Sequence, residues 1–209
     1  MKSKERYWSE IHDWLEGNAP KTLSALNRPA SNEAIDLLVS KVGKSLPDEV
    51  RNYYLTHNGM SQEQTASLVY GVRLSPVESA VGWLEQLTRL TIEETLEFAD
   101  PGIRKDYLFG PCRIPIADDN GTSLICIDLD PDEGGQYGQI ILLDYDYNVA
   151  LKLATSIDEM FRSFAMDLRA GRYTLQEEAL ADGNEWLHPA REIDPINWFN
   201  SPTWRYVRG

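Results

Sequence analysis

Between Arg113 and Lys152 the chain carries no lysine or arginine, the widest such gap in an already acidic sequence. The 209 residues hold 20 basic against 33 acidic side chains, a net charge of −13. That balance repels nucleic-acid phosphates and anionic bilayers, and so argues against direct binding of either. Cysteine is scarce as well. Cys112 and Cys126 are too few for a disulfide framework and lack the spacing of a metal site, so two reduced thiols are expected. No apolar run approaches the roughly 20 residues that span a bilayer. Residues 1–16 mix charges of both signs without the apolar stretch of a secretory signal. Cytoplasmic localisation, with no membrane partner, is the resulting expectation.

With 42% hydrophobic residues there is ample material for a core. Tyr7, Trp8, Ile11, Trp14 and Leu15 recur at helical spacing and predict an opening helix that stops at Asn18–Pro20. Ser31 is a good N-cap for a second helix lined by Ile35, Leu38, Val39 and Val42 and stopped by Gly43. Pro47, Asp48 and Glu49 open a third, with Val50, Tyr53 and Tyr54 inward and Asn58-Gly59 closing it. A strand is expected over Leu68–Leu74. A capping box at Ser75-Pro76-Val77-Glu78 then starts a helix from Val77 to Leu90, and Thr91–Ala99 reads as a further short helix.

From Arg113 the apolar period changes to two. Arg113–Ala117, Thr122–Asp128, Gln139–Tyr145 and Val149–Leu153 read as successive antiparallel strands joined by short turns. A second capping box, Ser156-Ile157-Asp158-Glu159, starts a helix through Leu168 that Gly171 ends. Beyond Tyr173, Thr174–Ala181 has the composition of a short helix. The remaining tail holds Trp186, Trp198, Phe199, Trp204 and Tyr206. So aromatic a segment is expected to dock on the domain, because exposed aromatics at this density aggregate.

Several fragments imitate catalytic motifs and fail at named positions. Gly43-Lys44-Ser45 ends like a phosphate-binding loop, but Leu38 stands where the first glycine belongs, and the segment follows a helix. Asp128, Asp130 and Asp132 alternate as in a calcium loop, yet Glu133 replaces the required glycine and Gln139 the bidentate glutamate. The same segment resembles the nucleophile loop of haloacid-dehalogenase-type phosphatases, with Asp128 as nucleophile and Asp130 as acid/base. Asp132 sits at the usual threonine position, and the strands read as a meander; a metal-dependent phosphatase is thus the weakest reading. His12, His57 and His188 lie far apart in sequence and face no evident nucleophile. Catalytic residues, metal ligands and cofactors are therefore expected to be none.

Charge distribution remains. Asp118, Asp119, Asp128, Asp130, Asp132, Glu133, Asp144 and Asp146 all fall within the base-free interval. Acids suit turns and strand ends for purely conformational reasons, but the complete lack of bases exceeds what turn chemistry requires. In a meander the Asp118/Asp119 and Asp144/Asp146 turns share one sheet edge. Asp118, Asp119, Asp128, Asp130, Asp132, Glu133 and Asp144 form the expected electrostatic contact set, with Tyr137 an aromatic anchor.

The order of segments resembles the SUKH superfamily, specifically its Smi/Knr cell-wall-assembly-regulator type. The similarity runs through Arg28-Pro29-Ala30-Ser31, Lys41-Val42-Gly43, Ser45-Leu46-Pro47-Asp48-Glu49, Tyr54-Leu55-Thr56-His57-Asn58-Gly59 and Tyr70 to Ala80. Its strongest part is Ile114-Pro115-Ile116-Ala117-Asp118-Asp119-Asn120-Gly121 with Cys126 to Pro131 and Gly138 to Ile141. It spans roughly residues 5–173, leaving 174–209 as an aromatic-rich extension. Cys112-Arg113 stand where that family often has an aromatic residue. The resemblance implies an α+β fold, a mostly antiparallel mixed sheet with helices mainly on one side, and a non-catalytic, protein-binding role. Bacterial members of the superfamily are typically immunity proteins that neutralise toxins, including nucleases, and fungal members are larger cell-wall scaffolds. A compact chain of this length points first to an immunity protein for a basic, cognate toxin, and second to a scaffold or regulator of envelope signalling.

Overall fold

The computed structural model describes residues 3–87 and 94–208. The chain opens with helices α1 (Ser3–Asn18), α2 (Pro20–Ser24), α3 (Asn32–Val42) and α4 (Asp48–Tyr54). Then come β1 (Arg73–Leu74), α5 (Val77–Leu87), β2 (Phe98–Ala99), and the long strands β3 (Arg113–Asp118), β4 (Ser123–Asp128), β5 (Gln139–Asp144) and β6 (Val149–Ala154). Helix α6 (Ile157–Arg169), β7 (Tyr173–Leu175), α7 (Glu177–Ala181) and β8 (Leu187–Pro189) precede a tail of 3₁₀ turns. The main sheet has the order β1-β3-β4-β5-β6-β2 and is antiparallel except for the β2–β6 pair, the α+β architecture expected.

Local chemistry sets the helix boundaries. The Ser31 hydroxyl accepts the Ala34 amide at the start of α3, and Gly43 at φ 70 closes it, a left-handed conformation that costs glycine nothing. The false phosphate loop is thus a helix stop, and Lys44 bonds Leu129 O and Asp130. Capping differs from expectation at α5. The Asn58 side chain, not Ser75, accepts the Val77 amide at 2.7 Å and donates to Glu78.

Both faces of the central strands are buried, so the period of two sorts residues between two cores instead of between core and water. Ile125, Ile127, Ile140, Leu142 and Leu151 join Ile11 and Leu15 of α1, Leu38 of α3, Tyr54 of α4 and Phe161 of α6. On the reverse face Leu124, Cys126, Ile141, Leu143 and Ala150 lie under Leu96, Ile103 and Leu108, with Trp83 of α5 packed against the same cluster. Arg113, 2% exposed, pins that cover. Its guanidinium donates to the carbonyls of Arg104, Tyr107 and Leu108 and stacks 4.3 Å over the Tyr107 ring. Pro115 fits in β3 because β1 pairs only Ala117 and Asp118, leaving the outer edge open beside it.

Three expected elements differ. Leu68–Leu74 holds a 3₁₀ turn, Val69–Gly71, in which Tyr70 takes φ 58 and its amide donates to the Tyr173 hydroxyl. Only Arg73–Leu74 is strand. Within the expected Thr91–Ala99 helix, residues 91–93 lie outside the described residues, as do 88–90 of the expected Val77–Leu90 helix. Phe98–Ala99 is a strand parallel to β6. Thr174–Ala181 divides into the end of β7 and the short α7. The tail lies against the main core, with Trp198 and Trp204 buried.

Candidate protein-binding surface

The eight contact residues expected from sequence do not form one face. Ser123 pairs with Asp144 and Asp128 with Gln139, so the strands place them at opposite ends of the sheet. Five steps of about 3.4 Å put the two groups roughly 17 Å apart. At one end stand Asp118, Asp119 and Asp144, with Asp146; at the other stand Asp128, Asp130, Asp132, Glu133 and Tyr137.

Two of these carboxylates are structural. Asp128 is 0% exposed; its Oδ2 accepts the Gln139 amide, and its Oδ1 the Asp130 amide, each at 2.9 Å. On a buried antiparallel strand, it neither meets a partner nor offers a nucleophile. Asp144 is 4% exposed: Oδ1 accepts the Asp146 and Tyr147 amides, and Oδ2 the Trp198 indole at 2.7 Å. Both leave the contact set, because a buried charge is kept by the bonds that occupy its oxygens.

Asp130 is half-exposed and already matched. Lys44 bonds Oδ1 at 3.0 Å, Tyr107 bonds Oδ2 at 3.0 Å, and the Arg104 guanidinium stands 3.1 Å from Oδ2. The Lys44 bond, with help from Tyr107 and Arg104, holds its carboxyl below the usual carboxylate range. Asp132 and Glu133 are exposed beside it, and the Tyr137 hydroxyl donates to Ser45 O, leaving the ring 46% exposed. No group of three or more histidine, cysteine or acidic side chains among the described residues is placed to hold a metal. No helix among them is long and apolar enough to cross a membrane.

The other end holds a cavity of about 270 Å³ between α5 and the β3–β4 turn. Trp83, Ala80, Pro115, Leu124 and Tyr145 supply its apolar wall, with Asp118 and Asp119 beside them. Each carboxylate uses Oδ1 on its own turn: Asp118 accepts the Asn120 amide, and Asp119 those of Gly121 and Ser123. The Tyr145 phenol, which donates to Gly121 O, is raised first by burial and then by Asp119, Asp118, Asp146 and Asp144. The expectation that the Asp118/Asp119 and Asp144/Asp146 turns share an edge holds here. Trp83 and Tyr145 were not singled out from sequence. The signal was present at Trp83, a large aromatic off the Val77–Ala80–Val81–Leu84 stripe with which α5 faces the core.

The structure also joins two histidines that the sequence keeps 45 positions apart. His12 Nε2 and His57 Nε2 lie 2.8 Å from each other, and His57 Nδ1 is 3.0 Å from Asn27 O. Trp8 packs against both rings. Burial lowers the pKa of each, and the neighbouring His57 adds to the shift of His12.

A doubly covered antiparallel meander with an aromatic-walled acidic cavity at one end, and with buried carboxylates committed to holding turns, defines the α+β class of this domain. The chain belongs to the SMI1/KNR4 family (SUKH-1), whose model matches residues 29–163. Among curated proteins it is similar to the cell wall biosynthesis/cell cycle regulator smi1 of Schizosaccharomyces pombe, 26% identical over 187 residues. That alignment covers 82% of this chain and 37% of the relative. The cell wall assembly regulator SMI1 of Saccharomyces cerevisiae is 23% identical, with 82% and 41% covered. A glucan synthesis regulatory protein of Neurospora crassa is 23% identical, with 95% and 44% covered. The chain spans about two-fifths of the length of the curated relatives it matches.

Proposed function

We propose that the chain is a non-catalytic, protein-binding regulator that acts as a scaffold in cell-wall or envelope assembly. The observation that carries this reading is the family match over residues 29–163, together with relatives named as regulators of wall assembly and glucan synthesis. The geometry supports it: Asp128, the nucleophile of the phosphatase reading, is buried and hydrogen-bonded to the fold, and Asp130, its acid/base, is engaged by Lys44, Tyr107 and Arg104.

The toxin-neutralising reading stands second. Its support is the exposed acidity at both sheet ends, which suits a basic partner; the relatives' names favour the wall regulator.

Deletion of the gene, followed by growth on a wall-directed inhibitor, separates the two. A scaffold in wall assembly gives hypersensitivity, restored by the full chain, and affinity capture returns several partners that change with wall stress. Normal growth on the inhibitor would overturn it. Rescue by this chain of cells expressing a toxin encoded beside it would install the immunity reading instead.

A further inference from the structure

We propose that the cavity between α5 and the β3–β4 turn is a receptor for a single arginine side chain presented by a partner protein. This rests on the protein-binding reading above and names the chemistry of the partner's anchor. At about 270 Å³ the cavity falls just below the roughly 300–1,000 Å³ typical of small-molecule pockets. Its size suits one long side chain. The walls and rim specify which one. Trp83 and Tyr145 offer aromatic surface for a planar cation, and Leu124, Ala80 and Pro115 offer apolar contact for an alkyl stem.

Charge selects further. Asp118 and Asp119 each engage their turn through Oδ1, and Oδ2 of each accepts no hydrogen bond among the described residues. Two carboxylates lining one cavity suit the several N–H donors of a guanidinium better than the single point charge of a lysine. Among the described residues no lysine or arginine lines the cavity. Arg73 stands opposite Asp118 in the β1–β3 register, and its buried Nε has no hydrogen-bond partner among the described residues. Asp119 also lines a second cavity of about 200 Å³ beside Trp186 and His188, so a partner segment has room to continue past the turn.

The test uses the isotope-labelled full chain and three capped tripeptides, Gly-Arg-Gly, Gly-Lys-Gly and Gly-citrulline-Gly. Citrulline keeps the shape of arginine and loses its charge. Titration followed by amide and indole NMR signals is expected to give saturable shifts at Trp83, Gly121 and Ser123 with the arginine peptide. The lysine peptide binds more weakly, and the citrulline peptide at least about tenfold more weakly, the scale of charge-assisted hydrogen bonds. The Asp118→Asn/Asp119→Asn variant keeps both turn-capping oxygens and is expected to lose arginine affinity by about the same factor. Asp132→Asn/Glu133→Gln changes net charge equally at the far end of the sheet and leaves binding unchanged.

Equal shifts with the citrulline peptide, or no saturable shift at those three residues, would overturn the proposal. So would undiminished arginine affinity in the Asp118/Asp119 variant, whose folding is checked by its amide spectrum. If captured partners bind that variant as well as they bind the parent, the receptor is wrong while the scaffold reading stands.

Discussion

The His12–His57 contact fixes how its protons are arranged. Asn27 O only accepts, so His57 Nδ1 carries a hydrogen and His57 Nε2 presents its lone pair to His12 Nε2–H. One added proton can sit on His57, with His12 changing tautomer to accept; a second sets two N–H groups against each other. Both pKa values are lowered, chiefly by burial, with Asp13 opposing the shift at His12 and the Asn27 bond opposing it at His57. The sign follows. Around pH 6 this pair binds more protons in the unfolded chain than in the folded one, so its contribution to stability rises with pH there. The pair is neutral and harmless above the ordinary value of about 6.5; as pH falls below that value, stability is lost. Urea unfolding between pH 7.5 and 5 is expected to show a loss on the order of 1 kcal/mol from this pair, discounted for half-exposed rings. The His12→Gln/His57→Gln variant removes that slope. An unchanged slope would show that the carboxylates alone set the acid response.

Elements assembled from adjacent residues were legible in sequence. Ser31 and Gly43 bound α3 as their chemistry requires, and Ser156 accepts the Glu159 amide at the start of α6. Even there the reciprocal bond shifts by one residue, with the Glu159 carboxylate taken by the Thr155 amide and hydroxyl. The four meander strands fall within a residue of expectation because their turns carry asparagine, aspartate and glycine. Long-range partners were not legible. Phe98–Ala99 reads as helix but becomes strand because β6 offers an open edge. Ser75 reads as the cap of α5, yet Asn58, bent back by the positive φ of Gly59, takes that place. Gly59 cannot carry a side chain, since a Cβ would stand 2.5 Å from the Ser75 backbone. The candidate site was half legible for the same reason: Asp118 and Asp119 announce themselves, whereas Trp83 and Tyr145 meet only through the fold. Asn58→Ala is therefore expected to destabilise the protein by about 1–2 kcal/mol in chemical denaturation, as the loss of an N-cap does. Ser75→Ala should cost less than half of that, and the reverse order would restore the local capping box.

At the scale of the whole molecule the C-terminal tail closes the structure on itself. Glu185, just before β8, accepts the Lys21 and Thr22 amides at 2.7 and 2.9 Å and so caps α2, near the other end of the chain. Trp198 donates to buried Asp144 at the β5–β6 turn, and the Tyr206 hydroxyl donates to Asp100, whose Oδ2 also accepts the Lys152 amide. The tail thereby adds donors to carboxylates that the backbone of the sheet and its turns satisfies only in part. Trp198→Phe keeps an aromatic ring but strips Asp144 Oδ2 of its indole donor; a cost of about 2 kcal/mol follows from leaving that charged acceptor unmet. Trp198→Ala adds the cavity and should cost about 3–5 kcal/mol. Combined with Asp144→Asn, the phenylalanine variant should show a coupling of at least about 0.5 kcal/mol in a double-mutant cycle. Unfolding followed by tryptophan fluorescence and by far-UV circular dichroism should give one coincident transition, because tail and sheet share a core. Separate transitions, or a chain truncated after Pro189 that unfolds at the parent's midpoint, would show the tail to be an appendage. Coincident transitions that shift together across the Trp198 series would make the segment after Pro189 part of the folding unit that positions β5, β6 and the acidic turn between them.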